Sequence, residues 1–200
     1  MSDERILATD QAKPQVSPKI IAPIFFIALL SGLALALVNN ATADRIKLVM
    51  EKELNEALAL VMPGFDNQPA AEKIEKNQGK EGRLTFYPAK KDGQLIGYAI
   101  ESTVFTGYSG ELAVIYGVSV DGTVGRIKLL RHNETPGLGS KAGLPAFLDQ
   151  FAQTSLSSFR YQVKKDGGQV DAVTGATISS RAVTLAVARG LEELKNIAAK

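Results

Sequence analysis

The stretch Ile20–Val38, IIAPIFFIALLSGLALALV, constrains this chain more than any other feature. It holds no charged residue, and the uncharged run continues to Ala43. At ~1.5 Å per residue these nineteen residues span roughly 28 Å as a helix, the thickness of a bilayer's hydrocarbon. A helix buried in a soluble core would show a polar face, and this one shows none. Pro23 falls in the first turn, where a helix tolerates it. Ser31-Gly32 is a small pair that permits close packing against another helix. A cleaved signal peptide is the rival reading, because Ala41-Thr42-Ala43 has the small-residue pattern of a cleavage site. Signal h-regions run only ~7–15 residues, however, so the sequence predicts a retained transmembrane helix over 20–38. Arg5, Lys13 and Lys19 precede it and Arg45, Lys47 and Lys52 follow it. That near tie permits an N-in, C-out arrangement without fixing it.

Composition removes several function classes. There is no cysteine, which excludes disulfides, thiolate nucleophiles, thioether attachment of a cofactor and Cys-ligated metal centres. The single histidine, His132, excludes a multi-His metal site. A net charge of +2 with both signs interspersed offers no basic stripe, so nucleic acid is not an expected partner.

Beyond the apolar run, 44–62 has apolar residues at Ile46, Val49, Met50, Leu54, Ala57, Leu58 and Val61. This is helical spacing, ended by Pro63-Gly64. Residues 67–82 are polar and read as a loop or short helix. Strand signals follow over 84–87, 95–105, 112–120 and 124–130, with Asp121-Gly122 as a hairpin turn. A short helix is predicted at 144–151, two further strands at 159–163 and 170–173, and a helix over 179–198 with Val183, Val187, Leu191 and Leu194 along one stripe. Grouped strands with helices at the ends predict an α+β domain.

Two segments carry chemistry. In Asp171-Ala172-Val173-Thr174-Gly175-Ala176-Thr177-Ile178-Ser179-Ser180, small residues let the backbone approach a bulky group. The helix start that follows favours a phosphate, and the hydroxyls of Thr174, Thr177, Ser179 and Ser180 can donate to its oxygens. The competing reading is that Thr177 or Ser179 merely caps the helix. The other segment runs from Gly107-Tyr108-Ser109-Gly110 to Arg131-His132-Asn133-Glu134-Thr135-Pro136-Gly137-Leu138-Gly139. Its glycines allow tight turns around a planar ring, and they serve equally as ordinary turn residues. His132 is a candidate proton partner, but a lone histidine before a loop more often has a structural role.

The pattern Asp171-x-x-Thr174-Gly175-Ala176-Thr177 resembles the flavinylation motif of the FMN-binding domains in Rnf (Rsx) complexes and in sodium-pumping NADH:quinone reductases. The likeness extends to the Gly107–Gly110 and 134–139 segments and to the N-terminal span. In length and layout the chain is most similar to the G subunits of Rnf complexes. The C subunits of the sodium pump are longer, and a component of that kind is the alternative. The resemblance implies FMN joined by a phosphoester to Thr177, with Asp171, Thr174, Gly175, Ala176, Ser179, Gly107, Tyr108, Glu134, Thr135, Gly137 and Leu138 around it. Asp171 would orient the acceptor loop or help remove its proton, or else cap a turn. The layout implied is a cytoplasmic tail over 1–19, the transmembrane helix over 20–38, a helical connector over 39–82 and an α+β FMN-binding domain over 83–200.

The implied role is that of an electron carrier rather than a stand-alone enzyme. Its partners would be the membrane, the other members of a complex with six different core subunits, and an exported flavin transferase. The place would be the bacterial inner membrane, with the C-terminal domain on the periplasmic side. Two other classes compete. A catalytic reductase needs a substrate domain for which 200 residues leave no room. A non-redox anchor or assembly subunit would have an ordinary helix cap at Thr177 and bind no flavin.

Overall fold

The computed structural model describes residues 18–198. The expected tail over 1–19 lies, but for its last two residues, outside the described residues. Two compact units divide between Glu51 and Lys52.

A single helix, α1 (Pro18–Val61), covers the apolar run and the amphipathic stretch after it. Nothing between Gly32 and Pro63 is glycine or proline, so no residue interrupts the hydrogen-bond ladder. Thr42 stays in the helix by donating its hydroxyl to the Val38 carbonyl at 2.8 Å. The helix starts at Pro18, which puts Pro23 in its second turn rather than the first. In the N-terminal unit the apolar side chains, Phe25, Ile27, Leu30 and Leu33 among them, are exposed. Among the described residues α1 alone is long and apolar enough to cross a membrane.

In the second unit a five-stranded antiparallel meander is built from β1 (Ile74–Asn77), β2 (Arg83–Lys91), β3 (Gln94–Gly107), β4 (Gly110–Ser119) and β5 (Val124–His132). The four long strands fall where the alternating and β-branched runs predict them. The hairpin at Asp121-Gly122 also forms, with Gly122 at φ +84° donating its N–H to Ser119. Strand β1 differs from the loop or short helix expected there. It is a polar edge strand with one partner, and its four residues present no apolar face to the sequence pattern. The two strands expected near 159–173 reduce to one bridge, Val163 to Val170, because a 3-10 turn at Lys164–Asp166 and Gly167 at φ +85° intervene.

After β5 come a 3-10 turn (Gly139–Gly143), α2 (Pro145–Leu148) and the long helix α3 (Thr177–Ala198). α3 covers one face of the sheet, with Val183, Val187 and Leu191 buried against Phe86, Ile100 and Tyr116. The opposite face is covered by the last turns of α1, where Ala57, Leu58 and Val61 meet Tyr87, Ala99 and Ile115.

Close approach on the α3 side depends on Gly190, where an added Cβ would overlap the Tyr116 hydroxyl. That hydroxyl donates to the Val187 carbonyl at 3.0 Å, and burial pushes its pKa well above the ordinary tyrosine value, so it stays a donor. Tyr116→Phe is expected to lose about 1 kcal/mol, a Tm fall of about 3 °C by thermal circular dichroism. A larger fall would mean that the hydroxyl carries more of the helix contact than one hydrogen bond. On the other face, burial and then the Glu101 charge raise the Tyr87 hydroxyl above its usual range. It donates to Glu101 at 2.9 Å, and Arg131 donates to the second oxygen of that carboxylate at 2.6 Å.

Candidate functional site

The meander brings the β3–β4 hairpin beside the end of β5, because Leu112 pairs with His132 and Gly107 with Gly110. The loop leaving β5 then passes under the start of α3. Its closing turn is set by the Thr135 carbonyl, which accepts from Leu138 and Ser140 N–H at 3.2 Å each. Gly137 takes φ +76°, a conformation glycine adopts without a Cβ penalty, and its N–H is donated to the Ser140 hydroxyl at 2.9 Å.

Helix α3 begins at Thr177, two residues ahead of the expected Ser179. The Ala176 carbonyl accepts the first intrahelical bond, from Ser180 N–H at 3.0 Å. Ala176 therefore occupies the N-cap position, and Thr177, Ile178 and Ser179 form the first turn. Helix geometry leaves the N–H groups of that turn without intrahelical acceptors. The turn is fixed from behind by Ser180, whose hydroxyl accepts from Val173 N–H at 3.0 Å and donates to the Ala176 carbonyl at 2.9 Å. Gly175 at φ +78° shapes the preceding loop. A Cβ there would sit 3.4 Å from Leu138, which places the 134–139 loop against the motif.

Glu134 joins the segments. Its carboxylate accepts from the Ser179 hydroxyl at 2.8 Å and, at a long 3.4 Å, from Ser109 N–H. Its own N–H is donated to Nδ1 of His132 at 3.2 Å, which gives that histidine a structural task. Asp171 has its backbone clamped by Gln150, whose amide accepts from Asp171 N–H at 2.7 Å and donates to the Asp171 carbonyl at 3.2 Å. The Asp171 carboxylate is exposed and pairs with Lys164 at 2.7 Å.

Of the residues singled out in the sequence, Thr177, Ala176, Ser179, Gly175, Glu134, Leu138 and Gly107 converge on the start of α3. Thr177 is half-buried, and Thr174, Thr135 and Gly137 are exposed. Tyr108, Leu138 and Ile178 present large apolar surface to solvent, at 69, 49 and 47% exposure. Ile178 and Gln150 were not singled out, whereas Ser179 and Ser180, expected to donate to a phosphate, are buried and donate instead to Glu134 and to the Ala176 carbonyl. Ile178 follows the motif directly, but the contribution of Gln150 depends on a contact with Asp171, 21 positions away, that no local pattern encodes.

A family model described as FMN-binding domain matches residues 107–192, the span holding both segments. The G subunit of the Na(+)-translocating ferredoxin:NAD(+) oxidoreductase complex of Acetobacterium woodii is 33% identical, over 92% of this chain and 97% of that one. The G subunit of the ion-translocating oxidoreductase complex is 35% identical in Cereibacter sphaeroides, over 90% of this chain and 84% of the relative. Its counterpart in Vibrio cholerae is 36% identical over 84% of each chain. Among solved structures, the C subunit of the Na(+)-translocating NADH-quinone reductase of Parabacteroides distasonis shares the fold, with a TM-score of 0.51 and 21% identity over 74% of this chain and 92% of that one. At that coverage and identity to its relatives, the chain belongs to the family of G subunits of ion-translocating oxidoreductase complexes and contains that family's FMN-binding domain.

Proposed function

We propose that this chain is a membrane-anchored flavoprotein electron carrier within a complex coupling electron transfer to ion translocation, its FMN joined to Thr177 by a phosphoester. The observation that carries this reading is the convergence at the start of α3. A half-buried threonine hydroxyl, a turn of free backbone N–H groups and the exposed apolar side chains of Leu138 and Ile178 share one site, and the exposed Tyr108 precedes Ser109, whose N–H reaches Glu134. That donor set fits a phosphate at the helix terminus with a planar apolar ring beside it. Bound FMN supplies the reversible uptake and release of electrons. The protein's part is placement. Thr177 provides the linking oxygen, the first-turn N–H groups and the helix dipole hold the phosphate charge, and Tyr108, Leu138 and Ile178 offer surface to the ring.

A threonine hydroxyl is a weak nucleophile until a base takes its proton and a cation neutralises the phosphate. The titratable groups of the two segments are engaged, Glu134 with Ser179, His132 with the Glu134 N–H and Asp171 with Lys164. Activation is therefore assigned to a separate, exported flavin transferase. On this reading residues 1–19 are a cytoplasmic tail and α1 spans the inner membrane through 20–38. Residues 39–82 connect the span to the FMN-binding domain at 83–200, which lies on the periplasmic side beside the other members of the complex.

Intact mass of the full chain extracted from membranes tests attachment. The expected mass is that of the uncleaved chain plus one FMN less a water, with denatured protein fluorescing on a gel. In cells lacking the exported transferase the added mass disappears. Flavin-free protein from transferase-competent cells would overturn the covalent reading, and full modification without the transferase would overturn that partner.

A further inference from the structure

Among the described residues Glu134 is the only buried Asp, Glu, Lys, Arg or His, at 4% exposure. A glutamate in a loop is expected in water, and burying its charge needs compensation. The surroundings are arranged around this carboxylate. A Cβ on Gly107 would come within 2.6 Å of Oε1, and one on Gly139 within 2.5 Å of Oε2. Only glycines leave room for it at both places. Ser179, two residues beyond Thr177, donates to Oε2, while the Ser109 N–H points to Oε1. The first turn of α3 is thus held on one flank by Glu134 and on the other by Ser180, which grips Val173 and Ala176.

We propose that Glu134 is a positioning residue for flavin attachment, holding the first turn of α3 through Ser179 so that the Thr177 hydroxyl is presented to the incoming phosphate. This rests on Thr177 as the acceptor. In the attachment step a bond forms between Thr177 Oγ and the flavin-side phosphorus of a flavin adenine dinucleotide. The pyrophosphate P–O bond breaks, AMP leaves with the electron pair, and the hydroxyl proton passes to a base of the transferase. No electron enters or leaves the flavin. Glu134 acts through Ser179 and contributes orientation alone. A misplacement of ~1 Å in a reacting group costs on the order of a hundredfold in rate, so loss of this tie is expected to be visible in turnover.

The test uses the full chain purified in detergent from cells lacking the transferase, then supplied with purified transferase, flavin adenine dinucleotide and Mg2+. Initial rates are followed by intact mass over a range of chain concentrations. Glu134→Gln is expected to lower kcat of modification about tenfold or more, with KM for the chain changed less than about threefold. Ser179→Ala is expected to act in the same direction. The double variant should be no slower than the slower single one, because both act through one hydrogen bond. Unchanged kcat in both single variants, or an effect confined to KM, would overturn the proposal. Should Glu134→Gln melt far below the wild type, Ser179→Ala decides, and its wild-type kcat would overturn the proposal. Thr177→Ala in the same assay separates the two readings: flavin still attached there would overturn the acceptor instead.

Discussion

Thr177→Ala is expected to abolish covalent flavin completely while leaving the fold in place. The hydroxyl is the sole proposed link, so the effect on attachment is all or none. The architecture around it does not depend on that oxygen. The N-cap position belongs to Ala176, the turn is held by Ser180, and alanine is the best residue for a helix interior. The change in stability is expected within about 1 kcal/mol. Thr177→Ser keeps a hydroxyl but frees χ1, which the threonine methyl restricts, so partial modification is expected. Peptide mass spectrometry checks the assignment. FMN mass on the Thr177→Ala chain, or located on Thr174 or Ser179 of the wild type, would remove Thr177 as the acceptor.

The second large effect is expected at Gly117→Val, and it concerns stability. Gly117 lies in β4 on the face covered by the last turn of α1. An added Cβ would overlap the Val61 carbonyl oxygen and sit 3.4 Å from Met62 Sδ. The obstacle is backbone, which cannot rotate away as a side-chain tip does. Either the helix end lifts from Tyr87, Ala99 and Ile115 or the strand bends. Overpacking of this kind costs about 3 kcal/mol, so Tm should fall by about 10 °C. Gly125→Ala supplies the control. Its Cβ would meet the Gly117 and Val61 carbonyl oxygens at 3.7 and 3.8 Å, ordinary contact distances, and its Tm should stay near that of the wild type. Equal melting of the two variants, followed by circular dichroism on the full chain in detergent, would show that the α1 end does not close this face in solution.

Much of this architecture is legible in the sequence where a pattern is strong and local. The uncharged run of α1, the long strands and the stripe of α3 each bury enough apolar surface to mark their periodicity. Small residues, hydroxyls and a helix start mark the loop around Thr177, while its reading as a flavin motif comes from the family resemblance. What escapes is set by contacts far apart in the chain. β1 is polar because an edge strand needs only one partner and little burial. The pair of strands expected near Asp166-Gly167-Gly168 never forms, since that turn leaves only one bridge between its arms. Glu134 is expected in the sequence as one of the residues around the flavin, with nothing to mark its burial. Only the fold brings Ser179, 45 positions later, against its carboxylate and puts glycines on either side of it. The continuity of α1 through the change from apolar to mixed composition near Asn39 is marked in the sequence only by an absence of breakers.

The central sheet is closed on one face by the end of α1 and on the other by α3, the first and last described elements of the chain. This has a consequence for the order of events during synthesis. When the strands have emerged from the ribosome, one of their faces still lacks its cover, and the turn bearing Thr177 has no helix to belong to. A chain stopped anywhere before α3 would expose Phe86, Ile100 and Tyr116 to water and would lack the turn proposed to accept the flavin. On the proposed reading, flavin would join Thr177 only after α3 has been made and folded, so that a flavinylated chain would be one that has already passed its folding test.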